Sequence, residues 1–137
     1  MNNLLAHIIP DNIYTLKIFQ WLDKNVVKHI IKNCESREYW EWEMIIIEGE
    51  DSNWEGYILK SGKVEISIWG SNIAELSTWD IFGEIALLNE EERTATVTAQ
   101  TNIEVIVLKF DDIIKIISLD NTINKTVIDR IEENLER

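Results

Sequence analysis

The residues best suited to chemistry lie in one stretch. Phe82-Gly83-Glu84-Ile85-Ala86-Leu87-Leu88 leads through Asn89 to Glu92 into Arg93-Thr94-Ala95-Thr96-Val97. The glycine opens a short apolar helical turn and a carboxylate follows it at once. A helix N-terminus with small residues presents backbone N–H groups, which favour a bound anion. An arginine aimed at the same spot adds a counter-charge and a forked pair of donors. A carboxylate beside them accepts hydrogen bonds of the kind a sugar hydroxyl offers. Together these parts suit a ligand with one phosphate and one ribose edge.

The stretch resembles the phosphate-binding cassette of cyclic nucleotide-binding domains. Its marks there are Phe-Gly-Glu, an apolar turn, and an arginine nine residues after the glutamate, with small residues and valine behind it. The resemblance runs from about Ile18 to about Ile117. Where the family often has proline before the arginine, this chain has Glu92. The resemblance implies cAMP or cGMP as ligand, with no cofactor, no metal and no catalysis. It implies that Glu84 accepts from the ribose 2′-hydroxyl and that the backbone N–H groups of Ile85 and Ala86 meet the cyclic phosphate. Gly83 lets the ligand approach closely, and Arg93 neutralises the phosphate. Thr94 can place its hydroxyl on the phosphate or on a guanine edge.

Each of these residues also has an ordinary role. Arg93 can pair with Glu84, Glu90, Glu91 or Glu92. Glu84 can complement a helix dipole, and Thr94 can be a strand threonine. Arg93 is expected to be exposed, so that removing it changes folding little. The acid run Glu90-Glu91-Glu92 reads as a solvated loop.

These residues must be positioned by a mainly β framework. Helices come first. Asn12 is expected to cap one and Asp23 another, which carries Val26, Val27, Ile30 and Ile31 on one face. After Cys34 the pattern turns to short strands: Glu38 to Trp42, Met44 to Ile47, Tyr57 to Leu59, Val64 to Ile68, Ile73 to Leu76, Thr94 to Ala99 and Ile103 to Leu108. Lys60-Ser61-Gly62-Lys63 is a tight-turn signal between two of them. Short strands at even spacing predict a closed or double-sheet β architecture. The resemblance sharpens this to an α+β, mainly β fold: an eight-stranded jelly-roll barrel with N-terminal helices and C-terminal lid helices. Residues 1–137 are read as a single cyclic nucleotide-binding domain. Residues 1–34 hold the first helices, 35–109 the barrel with its cassette at 82–97, and 110–137 the last helices. Gly49 and Gly62 fall where such domains keep turn glycines. Trp42 and Trp79 stand where the family more often has glycine, and a positive φ there would strain them. The six tryptophans are otherwise expected to fill the core or its shell.

Asp111 and Asp112 open a further helix. Asp120 or Asn121 can cap a last one, in which Ile123, Val127, Ile131 and Leu135 form an apolar stripe. That stripe packs on the barrel, meets a second copy in a homodimer, or closes over the base as a lid.

Composition bounds the remaining choices. The chain has 137 residues, 45% apolar and 28% charged, which suits one soluble globular domain. A single cysteine, Cys34, forms no internal disulfide and fits a reducing cytoplasm. A net charge of −12 disfavours nucleic acid and anionic membrane as partners. His7 and His29 have no metal-ligand partners at useful spacing, which argues against a metalloenzyme built in the barrel. The expected function is a stand-alone regulatory domain. It signals ligand occupancy to a separate effector protein through its C-terminal helices, or it is a piece of a longer protein. The alternative is a non-binding adaptor of the same fold.

Overall fold

The computed structural model describes residues 9–16, 18–20, 22–83 and 92–118. Two compact units emerge: Glu35–Lys109, and the flanking segments Met1–Cys34 and Phe110–Arg137.

The described residues of the flanking unit are largely helical. It contains α1 (Asp11–Tyr14), α2 (Lys24–Asn33) and α3 (Phe110–Ser118). α2 begins where Asp23 caps it: the carboxylate accepts from the Val26 N–H at 3.1 Å. Val26, Val27, Ile30 and Ile31 are all buried, the apolar face that their spacing predicts. Asn12, expected as a cap, lies inside α1 instead. The cap position belongs to Pro10, which makes no side-chain cap bond. α3 carries Asp111 and Asp112 in its first turn, where the helix dipole favours acids. Ile113 is fully buried, and α2 and α3 touch. Cys34 terminates α2. Burial, and then the charge of Asp112, pushes its thiol up to about 12, so it stays protonated and unreactive at neutral pH. His7 and the Ile123–Leu135 stripe lie outside the described residues.

The Glu35–Lys109 unit is antiparallel β. Its strands are β1 (Glu35–Tyr39), β2 (Met44–Ile46), β3 (Glu55–Ser61), β4 (Val64–Ile68), β5 (Ser71–Leu76), β6 (Ile81–Phe82), β7 (Thr96–Ala99) and β8 (Ile103–Lys109). They form two four-stranded sheets, ordered β1-β8-β3-β6 and β2-β7-β4-β5. β1 starts and ends three residues before the expected Glu38–Trp42. Its alternation is weak because much of it is exposed, and its register is set by β8, with Arg37 opposite Val105. β6 was not expected as a strand; two residues, Ile81 and Phe82, pair with Ile58 and Tyr57. Thr94 and Ala95 precede β7 rather than belonging to it.

Alternation puts one face of each sheet inward. Ile46, Tyr57, Leu59, Val64, Phe82, Val97, Ala99, Ile103, Val105 and Val107 make one apolar cluster. Tyr57 stacks on Phe82 with ring centroids 5.2 Å apart. That packing brings the end of β6, and Gly83 after it, against the middle of the core. The tryptophans do not fill the core. Trp40, Trp42, Trp54 and Trp69 are exposed, and Trp42, expected at the end of a strand, sits in a turn with φ 73°.

Removing the α2 cap tests the helix boundary. Asp23→Ala should lower stability by about 1 kcal/mol, read by denaturant unfolding. An unchanged midpoint would show that the cap contributes nothing.

Candidate functional site

Gly83 and Arg93 are brought together. A Cβ built on Gly83 would lie 2.9 Å from Arg93 Nη1 and 2.8 Å from Ile46 Cδ1. With φ at 70°, only glycine meets both demands at this position without strain. Arg93 is anchored through its main chain first. Its N–H donates to Glu50 O at 2.8 Å, and its carbonyl accepts from the Gly49 N–H at 2.8 Å. The turn before β3 therefore fixes where the arginine starts.

The guanidinium is half-buried rather than exposed. Nη1 donates to Gly83 O at 3.2 Å. Nη2 donates to Glu55 O at 2.9 Å and to Asn53 Oδ1. All three acceptors are neutral. Among the described residues Arg93 makes no ion pair; Glu92 is exposed, and Glu84, Glu90 and Glu91 lie outside the described residues. Burial lowers the guanidinium's pKa, although the side chains of Tyr57 and Glu55 act in the opposite direction. It remains a cation at any ordinary pH. Two of its five N–H groups, on Nε and Nη1, have no acceptor among the described residues.

The nearby carboxylate is committed elsewhere. Glu55 takes a bidentate pair from Arg37, at 3.0 and 3.1 Å. It also accepts from Tyr57 OH at 2.7 Å and from Asn53 Nδ2 at 3.2 Å. Asn53 Nδ2 lies 3.1 Å from Tyr57 OH, so one amide holds Arg93 by its oxygen and the Glu55–Tyr57 pair by its nitrogen. Arg37 continues to Glu35 at 2.9 Å, and Lys109 reaches Glu35 at 3.1 Å. Burial opposes the charge on Glu55, but the hydrogen bonds from Arg37 and Tyr57 outweigh it and hold the carboxyl below its usual range. Burial first, and then the bond to Glu55, pushes the Tyr57 phenol up.

The site is thus a fixed cation with spare donors, beside a glycine that admits close approach. That arrangement is chemically suited to an anionic oxygen. Of the other expected site residues, Thr94 is exposed next to Arg93. Glu84, Ile85 and Ala86 lie outside the described residues. The residues that sequence reasoning missed are Asn53, Glu55, Tyr57 and Arg37. One signal was present: Glu55 opens the apolar run Gly56-Tyr57-Ile58-Leu59, and an acid entering a buried strand needs a partner. Among the described residues no group of three or more acids, histidines or cysteines is placed to hold a metal ion. No helix among them is long and apolar enough to cross a membrane.

The chain belongs to the cyclic nucleotide-binding domains, whose family model matches residues 36–120. It is 40% identical over 86 residues to a cGMP-dependent protein kinase of Toxoplasma gondii, a match covering 63% of this chain and 9% of the kinase. It is 36% identical over 92 residues to a cAMP-dependent protein kinase regulatory subunit of Yarrowia lipolytica, covering 66% of this chain and 22% of the subunit. The chain therefore spans less than a quarter of the length of either relative. In fold it is similar to the N-terminal domain of a transcriptional regulator from Streptomyces coelicolor A3(2), with a TM-score of 0.73. That likeness covers 93% of this chain and 91% of that one at 19% identity.

Glu55 gives the unit a pH signature. Its pKa is depressed by folding, so its contribution is present above the unfolded value of about 4.3. It is lost as pH falls through the lower folded value. Midpoints of unfolding measured from neutral pH down through that range should fall more for the parent than for Glu55→Gln. Parallel curves would contradict the pairing with Arg37.

Proposed function

We propose that this chain is a non-catalytic regulatory domain that binds cAMP or cGMP through the cassette at 82–97. The observation that carries the reading is the Arg93 guanidinium, held beside Gly83 by three neutral acceptors with its charge unspent. A cyclic phosphate would complete it. Gly83 would allow the approach, the N–H groups of Ile85 and Ala86 would add donors, and Glu84 would accept from the ribose 2′-hydroxyl. Thr94 next to the arginine suits a phosphate oxygen or a guanine edge. The two kinase-family relatives divide between cGMP and cAMP dependence, so both ligands belong in the test. The strand orders β1-β8-β3-β6 and β2-β7-β4-β5 support reading the β unit as an eight-stranded jelly roll, within a single domain spanning residues 1–137.

Occupancy would be passed on by the C-terminal helices acting as a lid, to an effector protein or to a second copy through the Ile123–Leu135 stripe. A ligand shifts such an equilibrium only through its difference in affinity for the two states. Lid contacts made in one state and absent in the other would supply that difference.

The test is Arg93→Leu. Without the guanidinium, a partly desolvated phosphate is left unpaired, which costs on the order of 3–5 kcal/mol. That is roughly two to four powers of ten in affinity. The mutation also strips a donor from Gly83 O and Glu55 O, and each partly buried acceptor left bare costs part of the roughly 1–3 kcal/mol of a fully buried one. The expected variant is therefore less stable than the parent, yet folded by circular dichroism, and without measurable cyclic nucleotide binding. A folded variant that binds like the parent would contradict the assignment. Arg93→Lys separates charge from geometry: it should recover part of the affinity, because an ammonium lacks the fork.

A further inference from the structure

Among the described residues, the left-handed backbone region is occupied by two residue types only. Four are glycines: Gly49, Gly62, Gly70 and Gly83. Four are tryptophans: Trp42 at φ 73°, Trp54 at 61°, Trp69 at 52° and Trp79 at 71°. Asparagine and aspartate tolerate this region best after glycine, and a bulky side chain there is a genuine outlier. Neither asparagine nor aspartate appears in it here.

The turns themselves specify glycine. The Glu43 N–H donates to Trp40 O at 3.0 Å, closing a four-residue turn with Trp42 third. The Asp80 N–H donates to Ser77 O at 3.0 Å, closing another with Trp79 third. In each the second residue is not left-handed and the third is, the turn type that needs glycine at its third position. The same chain provides the comparison. The Glu50 N–H donates to Ile47 O at 3.2 Å, and the third residue of that turn is Gly49. Between β4 and β5, pairing of Ile68 with Ser71 leaves a two-residue loop, Trp69-Gly70, left-handed at both positions. Glycine, asparagine and aspartate are the residues such a loop selects.

A hydrogen bond from the backbone N–H accompanies each of these conformations. The Trp42 N–H donates to Ala99 O at 2.7 Å, and the Trp79 N–H to Leu59 O at 2.6 Å. The Trp69 N–H donates to Glu48 Oε1 at 2.9 Å. The Trp42 and Trp69 side chains meanwhile are 68% and 89% exposed. Composition agrees. The chain has six tryptophans and five glycines in 137 residues; with four more glycines it would reach the usual share of about 7%.

We infer that the residue made at positions 42, 54, 69 and 79 is glycine. One triplet, written in the sequence as tryptophan, is decoded as glycine by the cells that make this protein. A single reassigned codon accounts for four left-handed positions at once. Trp40 has an ordinary backbone and Trp21 lies outside the described residues, so neither enters the inference.

Peptide mass spectrometry of the protein isolated from its own cells reads the four positions directly. Glycine at all four is the expected result, and tryptophan there overturns the inference. Two recombinant chains give an independent reading: the sequence as written, and one carrying Trp42→Gly, Trp54→Gly, Trp69→Gly and Trp79→Gly. The glycine chain should unfold at least about ten degrees higher, or should fold where the tryptophan chain does not. An equal or lower midpoint overturns it. Trp40→Gly, in the same turn as Trp42 but outside the left-handed region, should give no such gain.

Discussion

The site depends on which charges are spent and which are kept. Glu55 is a carboxylate whose charge acts on Arg93, yet it faces Arg37, which takes both of its oxygens. Arg93 receives only the Glu55 backbone carbonyl, together with Gly83 O and the Asn53 amide oxygen. A guanidinium surrounded by dipoles is oriented but not neutralised. In a chain of net charge −12, a surface arginine would be screened and paired by many acids. Half-burial behind Asn53 keeps this one's field directed at a single place.

The sheets supply that geometry. β3 lies between β8 and β6, so Tyr57 is fixed by strand pairing on both sides, and Glu55 by its pairing with Lys109 of β8. The stack of Tyr57 on Phe82 fixes the end of β6, and Gly83 follows directly. From the other direction, the Gly49–Glu50 turn grips the Arg93 backbone by both polar groups. The cation and the glycine thus reach one point from two loops, each tied to the same buried cluster. Asn53 is the link: its oxygen holds Arg93, and its nitrogen holds the Glu55–Tyr57 pair. Loss of any one partner would leave a polar group at a half-buried position without its bond, so the arrangement behaves as a unit.

Much of this was legible in the sequence where the signal was local. Phe82-Gly83 and Arg93 stood out by type and spacing, Asp23 by its place before an apolar helical face, and Val64–Ile68 by alternation beside a glycine turn. Where a signal depended on tertiary pairing it was hidden. The polar strand β1 takes its register from β8, not from its own pattern, and β6 is too short to show one. The Asn53–Glu55–Arg37 network joins residues far apart in the chain, and only the unexplained acid at the head of β3 pointed to it. Arg93 was expected to be an exposed counter-charge that the fold could lose with little effect. Its three acceptors make it a structural residue as well. The tryptophans were expected inside, by hydrophobicity. Trp40, Trp42, Trp54 and Trp69 are exposed, and for three of them, Trp42, Trp54 and Trp69, a left-handed backbone sets the position, which composition does not encode.

The central claim is that Arg93 stands ready for a phosphate within a cyclic nucleotide. Titration calorimetry of the purified chain with cAMP and with cGMP tests it most directly. The account predicts saturable heat, with one site per chain, for at least one of the two. No heat and no competition from either ligand at concentrations up to about millimolar, where binding would be worth only about 4 kcal/mol, would contradict it.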